Sequence, residues 1–212
     1  MLELGFKVLV GYLLGSLNGS LVIGRIYGID IRSEGSGNPG GTNALRTQGS
    51  VFALLVMVID VGKGYLAAAF LPALVLPDIP LDPEVSRAWL MLACGGAAIV
   101  GHCYPVWFQF DGGKGAATAV GVLIAIAADL LLPGTIIFAT ALVVTGYVGV
   151  ATMSAAIALP IYLGVTDFAG RQPTLAFLVL LAVFIVFTHR TNIQRMRQGR
   201  EHRLDKLMLW HR

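Results

Sequence analysis

Apolar runs alternate with short polar segments along the whole chain. Uninterrupted hydrophobic stretches fall at about residues 4–24, 51–76, 89–108 and 174–189, and a longer block runs from 116 to 166. Each of the first four is close to the ~20 residues that carry an α-helix across a hydrocarbon core of ~30 Å, so four transmembrane helices are predicted. The long block has room for three short crossings, with breaks at 129–134, which carries Leu-Leu-Pro-Gly, and around 146–154. The expected fold class is all-α: a polytopic transmembrane helix bundle of seven helices, forming a single membrane-embedded domain over residues 1–212. A five-helix version preserves the sidedness argued next.

Charge sets the orientation. Arg190, Arg195, Arg197, Arg200, Arg203, Lys206 and Arg212 crowd the end of the chain, directly after the last apolar run. Lys and Arg beside a span collect on the cytoplasmic face, which puts the C-terminus inside and, with seven crossings, the N-terminus outside. Arg25, Arg32, Arg46 and Lys114 then join the tail inside, and Lys7, Arg87 and Arg171 fall outside. A nucleic-acid-binding tail would carry interleaved aromatic residues, and this one follows a membrane span instead; proximity to anionic lipid fits it better. Composition agrees with lipid as solvent: 56% of the 212 residues are hydrophobic, 13% are charged, and the mean hydropathy is +0.77. The start, Met1-Leu2-Glu3-Leu4, lacks the basic region and cleavage site of a secretory signal, so the first run reads as a retained span. Cys94 and Cys103 lie on one predicted helix about 13 Å apart along its axis, too far to bridge.

Against this background three polar, glycine-rich segments stand out, all on the predicted cytoplasmic face: 32–46, 101–118 and 188–201. The first reads Gly35-Ser36-Gly37-Asn38-Pro39-Gly40-Gly41-Thr42-Asn43, with Arg46 beyond. Glycines let backbone N–H groups converge on an anion, and arginine supplies a planar fork matched to phosphate oxygens. An ordinary interhelical turn weighs equally for this segment alone. The second runs from Gly101-His102 through Pro105 to Asp111-Gly112-Gly113-Lys114-Gly115-Ala116-Ala117-Thr118, a glycine turn opening a helix with a lysine at its start. Helix N-termini attract anions, although for this segment alone a glycine-rich turn with a snorkelling interfacial lysine is the favoured reading. It is not a Walker A loop, because Phe108 occupies that motif's first glycine position and Gly115 its Ser/Thr. In the third, His189 and Asn192 share a helical face, and histidine suits proton transfer near neutral pH. Interfacial anchoring of a helix end is the commoner use of such residues. Asp60 and Lys63, at i, i+3 spacing inside the second span, are candidates for function because ionisable residues are expensive at that depth, although a buried ion pair that holds the bundle is the slightly favoured reading; His102 reads as structural. Ser16, Asn18 and Ser20 read as helix-packing residues.

Taken together these strings resemble the bacterial membrane-integral acyl-phosphate:glycerol-3-phosphate 1-O-acyltransferases, over essentially the whole chain. The resemblance is carried by 35–38 through Thr42-Asn43 and Arg46, by 60–64, by Gly101-His102 with Pro105, by Gly112-Gly113-Lys114-Gly115 through Thr118, and by His189-Arg190 with Asn192-Ile193, Gly199 and Glu201. It implies acyl transfer from an acyl phosphate to the 1-hydroxyl of glycerol 3-phosphate, giving lysophosphatidic acid and inorganic phosphate, at the cytoplasmic face of the inner membrane. Ser36, Arg46, Lys114, His189 and Asn192 match positions the family uses for catalysis and substrate. Gly37, Asn38, Thr42, Asn43 and Thr118 are expected to contribute to substrate binding, and Gly112, Gly113 and Gly115 to form the glycerol-3-phosphate loop. Glu201, with Asp60 and Lys63, is expected to be structural. No metal site and no cofactor are implied; the expected partners are the two substrates, membrane lipid and a soluble enzyme that makes the acyl phosphate. One departure concerns Gly146-Tyr147-Val148-Gly149, where the resemblance leads one to expect Arg-Tyr-Val-Ser; Thr152 offers a partial substitute for the lost hydroxyl.

Two other readings compete. A transporter or channel for a phosphorylated metabolite also needs cationic clusters in an apolar bundle, but such carriers place their sites near the midplane, commonly on paired repeats, and no repeat is visible here. A CDP-alcohol phosphotransferase would need aspartates downstream of Asp111-Gly112 to hold metal, and the sequence lacks them. No His-x4-Asp pair follows His102, His189 or His202, which separates the chain from acyltransferases that use thioester donors.

Overall fold

A computed structural model describes residues 1–77, 79–205 and 208; the basic residues Lys206 and Arg212 lie outside the described residues. Among the described residues the regular structure is helical: α1 (Leu2–Gly15), α2 (Gly19–Tyr27), α3 (Gly41–Gln48), α4 (Ser50–Ala69), α5 (Arg87–Cys103), α6 (Ala116–Ile126), α7 (Leu131–Thr145), α8 (Val148–Thr166), α9 (Gln172–Thr188) and α10 (Arg190–Arg197), with short 3-10 turns between some of them. The chain divides into two compact units, Met1–Ile126 and Ala127–Arg212.

In the first unit the ordinary inside-out rule of soluble proteins is reversed. Along α4, Val51, Leu54, Leu55, Met57 and Val58 point outward, whereas Ala53, Val56, Asp60, Lys63, Gly64 and Ala67 are buried. Lipid is as apolar as leucine, so helices gain nothing by hiding large side chains; they gain by close backbone contact through small residues. Two crossings show this. A Cβ added at Gly15 of α1 would collide with the Ala98 carbonyl of α5, and one at Gly101 of α5 with the Tyr12 carbonyl of α1. A Cβ at Gly64 of α4 would strike the Thr118 carbonyl of α6, and one at Gly121 of α6 the Val61 carbonyl of α4.

The first apolar run, read from sequence as one span, is broken. α1 and α2 meet at 46° across residues 16–18. A break inside an apolar bundle strands backbone groups that water cannot reach, and these must find protein partners. Asn18 caps α2 by accepting from the Leu21 N–H at 3.2 Å. The Gly19 N–H donates to Asp60 Oδ1 at 2.9 Å, and Lys63 Nζ donates to the Leu17 carbonyl at 3.1 Å. Asp60 and Lys63 are themselves paired at 2.8 Å and almost wholly buried. The carboxylate thus sits at the positive N-terminal end of α2 and the ammonium just past the negative end of α1, as the helix dipoles favour.

The opposite end of α1 is tied to the segment between α4 and α5. Asp82 accepts from the Met1 amine and from the Leu4 N–H at 2.9 Å, and its own N–H donates to Glu3 Oε2 at 2.9 Å. Lys7 lies buried in α1, 2.5 Å from Glu3, and also donates to the Pro72 carbonyl. The bond from the terminal amine, then that from Leu4, holds the Asp82 carboxyl below its ordinary value. A carboxyl depressed in the fold stabilises it above the unfolded pKa of ~3.9, and that stabilisation is lost as pH falls through the folded value. Melting of purified protein in detergent below about pH 4 is therefore expected to be steeper in pH for the wild type than for Asp82→Asn; parallel curves would remove this role.

In the second unit α7 packs on α8 and α8 on α9. Arg171, before α9, pairs with Asp129, before α7, at 2.6 Å. After α10 the chain turns at Gly199 and returns to the α7–α8 corner, where the Leu204 N–H donates to the Gly146 carbonyl at 2.8 Å and Arg203 to the Thr145 carbonyl at 3.0 Å. The block at 116–166 is three helices, broken close to the positions read from sequence. Among the described residues, four helical segments are long and apolar enough to cross a bilayer singly, and up to six if the bent pairs α1–α2 and α9–α10 each count as one. α6, with 11 residues, rises only ~16 Å.

Candidate functional site

The first polar segment is folded around one side chain. Asn43, on the inner face of α3, is 1% exposed. Its Oδ1 accepts from the Ser36 N–H at 2.9 Å, and its Nδ2 donates to the carbonyls of Ile31 at 3.3 Å and Glu34 at 3.0 Å. Gly35 and Gly37, at φ of +56° and +74°, let the loop close around that amide. Asn18, besides capping α2, donates to the Pro39 carbonyl at 3.2 Å. Ser36 emerges half-buried, its Oγ 3.5 Å from the Asn38 N–H. With Asn43 and Ala44 turned inward, Thr42 and Arg46, one helical turn apart, share the exposed face of α3.

The second segment rests on His102. The Gly113 N–H donates to the His102 carbonyl at 3.1 Å, and the His102 ring occupies the space that a Cβ on Gly113 would need. Gly115, at φ +86°, turns the chain into α6, leaving Lys114 half-buried on the loop and Thr118 buried one turn inside α6. The two segments are tethered: Arg32 is held by Asp30 at 2.8 Å and reaches Asp111 at 3.6 Å. The hydrogen bonds from Arg32 hold the Asp30 carboxyl below its ordinary value, and the same bonds raise the guanidinium's. Both partners are substantially exposed, so the tether positions more than it stabilises.

In the second unit, α9 and α10 meet at 47°, and His189 occupies the bend, 5% exposed. Its Nδ1 lies 2.8 Å from the Ile185 carbonyl. A carbonyl oxygen only accepts, so Nδ1 carries the ring proton in the neutral form and Nε2 is the acceptor. Asn192, one turn on, donates to Glu201 Oε1 at 2.6 Å, and Arg195 donates to Glu201 Oε2 at 2.6 Å. Glu201 therefore clamps α10 and orients the Asn192 amide. Both departures from the expected string are glycines with local reasons: Gly146 closes α7 in the left-handed region at φ +74°, and Gly149 lies against Asn192, whose side chain would be 3.2 Å from an added Cβ. Thr152 donates its hydroxyl to the Val148 carbonyl of its own helix at 2.9 Å.

A family profile described as Glycerol-3-phosphate acyltransferase matches residues 6–199. The chain belongs to that family. A relative from Aquifex aeolicus (strain VF5), a glycerol-3-phosphate acyltransferase, is 36% identical over 93% of this chain and 97% of its own. One of the same description from Geobacillus kaustophilus (strain HTA426) is 41% identical over 89% and 90%. Among solved structures, PlsY (YgiH), an integral membrane glycerol 3-phosphate acyltransferase, superposes in its glycerol 3-phosphate form with a TM-score of 0.79 at 34% identity, covering 94% of both chains. Its lysophosphatidic acid form gives 0.78 at 33%, with the same coverage.

Within the first unit one ion pair, Arg32 with Asp111, links the first polar segment to the second. Within the second unit the structure brings His189, Asn192 and Glu201 to one bend. Sequence reasoning missed the templating of the first loop by Asn43 and of the second by His102. The signal for His102 was available: a histidine inside an apolar span, one helix away from an Asp and a Lys at i, i+3.

Proposed function

We propose that the protein transfers an acyl group from an acyl phosphate to the 1-hydroxyl of glycerol 3-phosphate, releasing lysophosphatidic acid and inorganic phosphate. The observation that carries this reading is the tether between the two glycine loops, which gathers two anion-friendly backbones at one end of a helical unit. Both substrates carry a phosphate group, so two cationic sites, Arg46 and Lys114, match the chemistry. The hydroxyl oxygen attacks the acyl carbonyl, the C–O bond to phosphate breaks, and phosphate leaves with the electron pair. Ser36 and loop N–H groups donate to the developing oxyanion. His189 Nε2 accepts the hydroxyl proton, with Asn192 orienting the substrate. Gly37, Asn38, Thr42 and Thr118 shape the binding loops, while Asn43 holds the first loop in place. Glu201 acts by fixing α10.

In this reading residues 1–212 act as one membrane-embedded unit in the bacterial cytoplasmic membrane, crossing seven times, with the N-terminus outside and the polar loops and basic tail inside. The acyl donor comes from a soluble enzyme, and its chain enters from lipid. The relatives are described as acyltransferases, which weighs against a carrier. Purified protein is expected to release inorganic phosphate from palmitoyl phosphate only when glycerol 3-phosphate is supplied, without added metal or coenzyme A. Release that ignores glycerol 3-phosphate would overturn the proposal.

A further inference from the structure

Beneath the glycine loop lies a buried charged cluster that the reaction as proposed does not use. We infer that His102 is a positioning residue for glycerol 3-phosphate, acting through Gly113 and held in register by Asp60 and Lys63; this deepens the acyltransferase reading and rests on it.

Three observations converge. First, the loop leans on His102 from two sides, its Gly113 N–H bonded to the His102 carbonyl and its Gly113 Cα set against the ring with no room for a methyl group. A loop of three glycines has little rigidity of its own, so its shape must come from what it lies on. Second, the ring cannot turn freely. Its Nδ1 lies 3.0 Å from Lys63 Nζ and 3.3 Å from Asp60 Oδ1, and all three side chains are less than 5% exposed. Third, Asp60 reaches the other loop as well: the oxygen beside His102 also accepts from the Gly19 N–H, and the adjacent Asn18 holds the Pro39 carbonyl. One carboxylate therefore sets the level of both loops. Buried ion clusters seldom add stability over well-packed apolar residues, and fixing one arrangement is a use for which they are retained.

The test separates geometry from stability. His102→Asn keeps a polar atom near the Nδ1 position but withdraws the ring from under Gly113. It is expected to raise KM for glycerol 3-phosphate roughly tenfold or more, with kcat within about threefold and KM for palmitoyl phosphate unchanged. Gly113→Ala, which drives a methyl group into the ring, is expected to do the same. Combined, the asparagine makes room for the methyl group, so the double variant should be no worse than the worse single one. Multiplying losses, or a fall in kcat and melting temperature with KM untouched, would overturn the inference. Should His102→Asn not fold, Gly113→Ala decides alone, and an unchanged KM rejects it. An inactive wild type would instead remove the function itself, so the two failures are distinguishable.

Discussion

Replacing His189 by alanine is expected to slow turnover by roughly 10²- to 10⁴-fold while leaving KM for glycerol 3-phosphate within a few-fold. The expectation comes from the ring's orientation. The Ile185 carbonyl at 2.8 Å fixes the proton on Nδ1, so Nε2 is the basic atom before substrate arrives. The bend between α9 and α10 holds the ring's backbone as well, since the His189 N–H is shared between the carbonyls of Ile185 and Val186 at 3.0 and 3.2 Å. Removing such a base slows the chemical step without weakening substrate binding, and the loss falls on kcat. Steady-state assays with palmitoyl phosphate and glycerol 3-phosphate make the measurement. A decrease below about threefold would assign the proton to the donor's own phosphate, which becomes basic as it leaves.

The largest structural effect is expected at Gly15. Leucine there should cost roughly 3 kcal/mol or more, enough that little folded protein survives extraction. An added Cβ meets not only the Ala98 carbonyl oxygen but its Cα at 2.5 Å and its carbonyl carbon at 2.7 Å. All are backbone, so no side-chain rotation relieves them, and the helices must move apart. Such a shift would also disturb the reciprocal side, where a Cβ added at Gly101 would lie 2.9 Å from Ser16 N. Gly5, on the same helix, has nothing within 4 Å of its would-be Cβ, so Gly5→Leu should fold normally. Yield and monodispersity in detergent, read side by side, check the pair. Equal yields would show that the α1–α5 crossing tolerates separation.

The helical class and most helix positions were legible because lipid demands long apolar runs, and Leu131-Leu132-Pro133-Gly134 and Gly146 mark the divisions of the central block. The break after Gly15 was not legible, because Ser16 and Asn18 are small enough to pass for interhelical polar residues in a continuous span. The partners that fix the break across the fold, Pro39 for Asn18 and Val106 for Ser16, lie 21 and 90 residues away. The same limit hid Asn43: its type suits a ligand contact, and only the folded loop reveals three backbone groups converging on its amide. The glycines of the second segment were legible as a turn opening a helix, but the His102 surface against which that turn lies comes from another helix. Periodicity reports the face a residue occupies, not what lies across from it.

The bend between α1 and α2 and the Asp60–Lys63 pair cannot be understood singly. A straight first helix would satisfy its own backbone and leave two charges in oil without employment; a bent one without them would leave an amide and a carbonyl thirsting in the same place. Neither trait is tolerable as an intermediate, so the kink and its two ions should be gained or lost in lineages as one heritable character.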